Sequence, residues 1–267
     1  MLSNVFTKTL RDLRRSIGWW ALGLAAFAGF IVAFYPNIRD NSELEELLDI
    51  YPEDLMALMG ISDMSNLFTG AGFVHAEIFG FLGPLFFIVF TIGMGGAAIA
   101  GEEGNGTLEI LLTEPIARGL VVIEKWAAMA AATVGLSLVL WVVLAAGGVV
   151  VGLGVGIGNL AGATASIALL GLLFGTLALA VGCAKGSRGL ATGVTAAVAV
   201  ATYLLNVIGG IVEFMDPAKY ISPFYYYNGS EPLINGISVA HAATLAGAIA
   251  VLAGAAYVSI ERRDIAT

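Results

Sequence analysis

The chain has 267 residues, 58% of them apolar and only 12% charged, with a formal net charge of −8. A soluble domain carries about 25% charged residues, so these proportions exclude an ordinary water-soluble enzyme and point to a chain solvated mainly by lipid. A single cysteine, Cys183, and two histidines, His75 and His241, exclude an intrachain disulfide and a zinc site of cysteine–histidine spacing.

The first fifteen residues are amphipathic. Leu2, Val5, Phe6, Leu10 and Leu13 fall near one helical face, and Lys8, Arg11, Asp12, Arg14 and Arg15 lie largely elsewhere. This pattern predicts a helix lying in the headgroup layer, or a basic flank that only enforces topology. The apolar run Ser16–Tyr35 ends in Tyr35-Pro36 rather than at a small-residue cleavage site. Signal-peptide cores are roughly 7–15 residues long, so a retained span is expected. Five further runs have the length of about 20 residues that a membrane helix needs: Ile78–Ala100, Trp126–Val151, Ala161–Cys183, Leu190–Val212 and Ser238–Ile260. The fold class is therefore all-α: a polytopic membrane protein with six transmembrane helices, residues 1–267 forming one membrane domain.

The segment after the first span, Pro36–Val74, has helical spacing at Leu44, Leu47, Leu48 and Tyr51. Pro52 interrupts it, and Leu55, Leu58 and Met59 resume it. Two short amphipathic helices on the membrane surface are expected there.

Between the second and third spans lies GEEGNGTLEILLTEPIARGLVVIEK, Gly101–Lys125. Asn105-Gly106 is a strong turn signal. Thr107 can N-cap a helix whose first turn holds Glu109, where the macrodipole favours a carboxylate. Leu108, Leu111 and Leu112 share one face, and Pro115 ends the helix after about two turns. A helix so short needs a surface to pack on, either a partner or the membrane. Glu102 and Glu103 can pair with arginines of a partner or with Arg118 and Lys125 of the same chain. No nucleophile accompanies them, so acid–base catalysis is not expected.

After the third span, Gly148, Gly152 and Gly156 recur every fourth residue, as do Gly154, Gly158 and Gly162. Helix packing or a turn accounts for them; a phosphate-binding G-x-x-x-x-G-K-[ST] sequence is absent. The fifth span carries a small, mildly polar stripe, Thr192, Thr195, Ala199, Thr202 and Asn206. Such a stripe in lipid faces either its own subunit or a cavity. The loop MDPAKYISPFYYYNGSEPLING holds three prolines and the aromatics Tyr220, Phe224, Tyr225, Tyr226 and Tyr227. A broken turn at the membrane interface is expected, since aromatics collect there. Arg262 and Arg263 stop the sixth span, and any energy source is expected on another chain.

The positive-inside rule orients the whole. Cytoplasmic termini place Lys8, Arg11, Arg14, Arg15, Arg118, Lys125, Lys185, Arg188, Arg262 and Arg263 inside, and only Arg39 and Lys219 outside. Asp40, Glu43, Glu45, Glu46, Asp49, Glu53, Asp54, Asp63, Glu77, Glu213, Asp216 and Glu231 then lie on the outer face. No basic groove suggests a nucleic-acid partner.

The pattern G-E-E-x-x-G-T-L-E-x-L-L-x-x-P-x-x-R over Gly101–Arg118, followed by Glu124-Lys125, resembles the permease subunits of the ABC-2 exporter family. The resemblance extends to Tyr51-Pro52-Glu53 and Met59-Gly60, to Ser222, Pro223, Phe224 and Tyr226, and to Arg262-Arg263-Asp264. It implies a homodimer or pseudo-dimer of six-helix subunits in a prokaryotic plasma membrane, each subunit gripped by a cytoplasmic P-loop ATPase. It also implies an amphipathic N-terminal interface helix, a coupling helix between spans two and three, and a broken hairpin before the last span. Glu102, Glu103, Gly106, Thr107, Leu108, Glu109, Leu111, Leu112, Pro115 and Arg118 are the coupling residues it implies. ATP and Mg would bind the partner ATPase, with no cofactor and no catalytic site on this chain. The fifth-span stripe would face the dimer axis or the export route. The function implied is the membrane-spanning subunit of an ATP-driven exporter. The alternatives are a stand-alone channel or secondary transporter, or an ATPase-driven signalling or scaffold subunit. A secondary transporter needs ligands near the bilayer midplane, yet Glu77 and Glu213 fall at the outer ends of spans.

Overall fold

The computed structural model describes residues 4–39, 69–108 and 117–263, which form helices joined by short turns, with no strand among them. Six helices are long and apolar enough to cross a membrane: Val5–Arg39, Gly70–Ala98, Arg118–Val151, Ile157–Lys185, Arg188–Ile211 and Val239–Arg262. They correspond one to one with the six expected spans. The surface helices expected within Pro36–Val74 lie almost wholly outside the described residues.

The first span differs from expectation. The amphipathic residues do not form a separate helix in the headgroup layer; they are the opening turns of one uninterrupted helix of 35 residues. No proline or glycine pair separates Arg11 from Ile17 to break it. At 1.5 Å per residue such a helix is about 52 Å long, well beyond a hydrocarbon core of about 30 Å. Its first turns therefore project past the apolar layer. The third span likewise starts at Arg118, eight residues before the expected Trp126.

The second span is a composite. A short helix, Gly70–Val74, runs into a π-helical turn at His75–Phe79, and the chain breaks before Leu82–Ala98. Pro84 supplies the reason: it has no N–H for the Gly80 carbonyl and its ring crowds that carbonyl. In apolar surroundings a freed carbonyl must find a donor. At the break the neighbouring Phe79 carbonyl has one, the Tyr227 hydroxyl at 2.8 Å.

The second and fourth spans form the centre. In their most apolar stretches 56% and 61% of the residues are buried, against 17–28% in the other four spans. The two helices cross with backbones in contact. A Cβ on Gly95 would lie 2.1 Å from the Gly175 carbonyl oxygen, and one on Gly171 would lie 3.0 Å from Phe87 Cβ. Thr91 donates across the crossing to the Gly171 carbonyl at 2.6 Å. Small residues permit this approach, and between lipid-soluble helices close packing with interhelical hydrogen bonds replaces the hydrophobic drive.

The third span fastens to the fourth by three bonds along their length. Trp126 Nε1 donates to Thr176 Oγ1 at 2.9 Å, Ser137 Oγ to the Thr164 carbonyl at 2.7 Å, and Trp141 Nε1 to the Ile157 carbonyl at 3.2 Å. The link between these spans is the glycine run. Gly152 (φ 69°) and Gly154 (φ 73°) occupy left-handed conformations, which only glycine adopts without strain. The run is thus a defined turn, and the Leu153 carbonyl packs where a Cβ on Gly70 would stand. Gly162 serves close packing instead, against Ile237.

The expected broken hairpin is present between spans five and six, as a 3-10 helix Glu213–Ile221 and short helices Pro223–Asn228 and Pro232–Asn235. Ser222 anchors it: its Oγ accepts from the Phe224 N–H at 3.2 Å and donates to the Thr202 carbonyl at 2.7 Å. Asn159 Nδ2 on the fourth span holds the far side through the Leu233 and Ile234 carbonyls.

Replacing Gly95 by Val is expected to destabilise the detergent-solubilised protein by about 3 kcal/mol or prevent folding, the upper range for overpacking. Gly135→Ala, where a Cβ meets nothing within 4 Å, should leave the melting temperature unchanged; equal melting of the two variants would contradict the crossing.

Candidate functional site

The ends of the bundle differ in chemistry. At the end that carries both the first described residues and Arg263, charged side chains from the second, third and sixth spans interlock. The helix of the second span bends at Ile99 (φ −111°) and continues as Ala100–Gly104, which brings Glu102 and Glu103 under the neighbouring helices. Lys125, only 4% exposed, places Nζ 2.5 Å from Glu102 Oε1. Glu103 pairs with Arg263. The Arg263 guanidinium also donates to the Cys183 carbonyl at 2.9 Å, one of the unsatisfied carbonyls at the C-terminus of the fourth span, where a cation is favoured. Gly186 (φ 65°) ends that helix in the left-handed conformation and leaves the space that Arg263 occupies.

Two further carboxylates cap helix starts from remote positions. Glu261 Oε1 accepts from the Gly119 N–H at 2.9 Å, at the start of the third span. Glu124 Oε2 accepts from the Phe6 N–H at 3.0 Å, at the start of the first. Helix N-termini have unsatisfied N–H groups and a partial positive charge, so each carboxylate ties two spans at little cost. Arg118 Nη1 donates to the Arg263 carbonyl at 3.2 Å, closing the ring of contacts. Beneath it lies a separate apolar cluster that includes Val5, Ile99, Leu108, Val121, Leu179 and Ile260.

The expected coupling residues fall into this frame in different ways. Of the two pairings open to Glu102 and Glu103, the structure has the one within the chain; Glu103 takes Arg263 rather than Arg118. Asn105-Gly106 makes the expected turn, with Gly106 at φ 69°. The Thr107 hydroxyl donates back to the Glu102 carbonyl at 3.2 Å. Leu108 is 2% exposed and belongs to the chain's own apolar cluster. Glu109, Leu111, Leu112 and Pro115 lie outside the described residues. Glu124, Glu261 and Arg263 carry as much of the network as Glu102 does. Their sequence signal was the rarity of charge next to long apolar runs.

The fifth-span stripe is turned onto its own chain. Thr195 and Ala199 are buried, and Thr192 Cγ2 packs on Gly96 of the second span. Thr192 and Thr202 donate to carbonyls of their own helix, those of Arg188 and Val198. Ala199 borders a small apolar cavity of about 200 Å³ with Phe81, Pro84, Tyr203 and Phe224. Asn206 is half-buried. The outward face of this helix is instead aliphatic, with Val194, Val200 and Leu204 exposed. Among the described residues, the buried Thr195 hydroxyl has no hydrogen-bond partner.

Six apolar helices, packed through small residues and locked at one end by ion pairs, are the architecture of a multi-pass membrane protein. The family model described as ABC-2 family transporter protein matches residues 3–265, and the chain belongs to that family. Its permeases are membrane subunits of ABC transporters that work with ABC ATPase partners. No curated protein matches the chain.

Breaking the Lys125–Glu102 pair by Lys125→Met should cost about 2–3 kcal/mol, below the 3–5 kcal/mol of a fully buried pair because Glu102 is 27% exposed. Lys125→Met with Glu102→Gln should cost less than the two single changes combined; additive thermal shifts would show that the pair contributes no coupling. Thr195→Val should hold or raise stability by up to about 1 kcal/mol, since a buried hydroxyl without a partner is costly. A clear loss of stability would reveal a partner.

Proposed function

We propose that this chain is the permease subunit of an ATP-driven exporter, with its ion-paired end in the cytoplasm and a separate ATPase docked against the segment between the second and third spans. The observation that carries this reading is the location of the Glu102–Lys125 and Glu103–Arg263 pairs at the two roots of that segment. They make spans two, three, four and six a single lever. Force applied at residues 105–117 would reach Glu102 on one side and Arg118 on the other, and the capping carboxylates would pass it to the first span. Rigid-body rotation of packed helices is a known mode of such transmission.

In this scheme Glu102, Glu103 and Arg118 stiffen the lever, and Leu108 roots the segment in the subunit's own core. Docking is left to the leucines and carboxylates beyond it, Glu109, Leu111 and Leu112. ATP and Mg belong to the partner; the chain moves and catalyses nothing. Two such subunits, pairing through the aliphatic faces of outer spans, would enclose the route of a solute.

Affinity purification of the chain from its native membrane in mild detergent tests this directly. A stoichiometric P-loop ATPase should co-purify and should be lost with Leu111→Asp in a variant that keeps its melting temperature. Lys125→Met should retain the ATPase but lose coupling, so that solute movement falls more than ATP hydrolysis. Absence of any ATPase from a folded preparation would refute the reading.

A further inference from the structure

A cleft of about 590 Å³ runs between the first span and the second, with the third span as its floor at one end. Its volume falls within the range of about 300–1,000 Å³ typical of ligand sites. Along the first span it extends from Val5 to Trp20, which at 1.5 Å per residue is about 22 Å. One leaflet of a bilayer, headgroups included, is about 20–22 Å thick, half of the whole. The cleft therefore has the length of a single leaflet, beginning at the ion-paired end.

Its two halves differ. At the polar end stand Lys8, Asp12, Glu102, Lys125 and Arg188; deeper in, the walls are apolar, with Trp20, Phe90 and Met94. Three cations against two carboxylates leave one positive charge. Lys125 is already committed to Glu102, and neither Lys8 nor Arg188 forms an ion pair among the described residues. Trp20 is fixed in the wall by edge contacts with Phe86 and Phe90. Gly93 forms open floor, since a Cβ there meets no atom within 4 Å. Val89, 49% exposed, stands at the side, so the apolar half is open to the surrounding lipid.

We infer that this cleft holds an anionic phospholipid of the leaflet on the ion-paired side, its phosphate between Lys8 and Arg188 and an acyl chain along Gly93 towards Trp20. The fit is chemical at both ends. A monoanionic headgroup neutralises the surplus positive charge, and an alkyl chain covers a wall that water would solvate poorly. A zwitterionic lipid supplies the chain but not the charge. Free phosphate or nucleotide supplies the charge but leaves the apolar half empty. The bound lipid bridges the first span to the start of the fifth, which no ion pair among the described residues joins. This inference rests on the membrane placement of the chain and not on ATPase coupling.

Native mass spectrometry of the purified full-length protein, delipidated and titrated with dioleoyl phosphatidylglycerol or dioleoyl phosphatidylcholine, tests it. The wild type should retain phosphatidylglycerol preferentially. Lys8→Gln with Arg188→Gln should weaken that retention by about tenfold or more, since each cation near a membrane surface contributes severalfold to anionic-lipid affinity. Arg14→Gln with Lys185→Gln removes two cations from the same end but outside the cleft, and should change it little. Gly93→Phe should fill the floor and weaken both lipids while the charges remain. Equal retention of the two lipids by the wild type would overturn the inference, as would an equal loss in both charge pairs. So would wild-type phosphatidylglycerol binding by folded Gly93→Phe protein. A co-purifying amphiphile that phosphatidylglycerol does not displace would overturn the assignment to phospholipid.

Discussion

The crossing of the second and fourth spans is the constraint from which the rest of the molecule follows. In lipid there is no gain from hiding apolar surface, so two helices stay together only where their backbones come close enough for dispersion and interhelical hydrogen bonds to act. Gly95 against Gly175 and Thr91 against the Gly171 carbonyl supply both. Once that contact is made, the fourth span has faces left for the third, fifth and sixth, and the third span carries the first. The peripheral helices then keep broad aliphatic surfaces towards lipid or a neighbouring subunit. A central helix that tolerated larger residues would push all of them outward together.

The two ends of the bundle solve the same problem in different ways. At one end backbone groups are freed at the end of the π-turn and around the hairpin before the sixth span. Neutral donors satisfy them: the hydroxyls of Tyr227 and Ser222 and the amide of Asn159. At the other end the helices extend beyond the apolar layer, and charged groups do the work. There Glu124 and Glu261 accept from helix starts, and Arg263 donates to a helix end. Ionised groups are affordable only where water is near, so this division reflects depth in the membrane.

Much of this was legible in the sequence because composition and run length report directly on lipid. The six spans, the Asn105-Gly106 turn and the broken hairpin were all readable from local chemistry. The extent of the first and third helices was not, since hydropathy stops at the last apolar residue while backbone hydrogen bonding continues through Lys8 or Lys125. The π-turn at His75–Phe79 was hidden: Pro84 signals the break before Leu82, but nothing in the sequence HAEIF marks a widened turn. Partner choice in the charged network was the least legible: Glu103 and Arg263 are 160 residues apart, and nothing local distinguishes Arg263 from Arg118 as the cation. The burial of Thr195 and Ala199 was not legible either, because it follows from how the fifth span packs on the second and fourth and not from the stripe itself.

The remote caps have a consequence for biosynthesis. Ribosomes deliver the spans in order, and the first helix start can be capped as soon as Glu124 emerges. The third cannot be capped until Glu261 has been made, nor Glu103 paired until Arg263 has. Through the insertion of spans four and five, Glu103 and the Gly119 amide must therefore remain solvated by water at the membrane surface. The arrival of the final turn converts a loosely tethered set of inserted helices into a closed one. A nascent chain stalled before that turn would present an unpaired acidic residue and an open helix end, features by which a quality-control protease could tell it from the finished subunit.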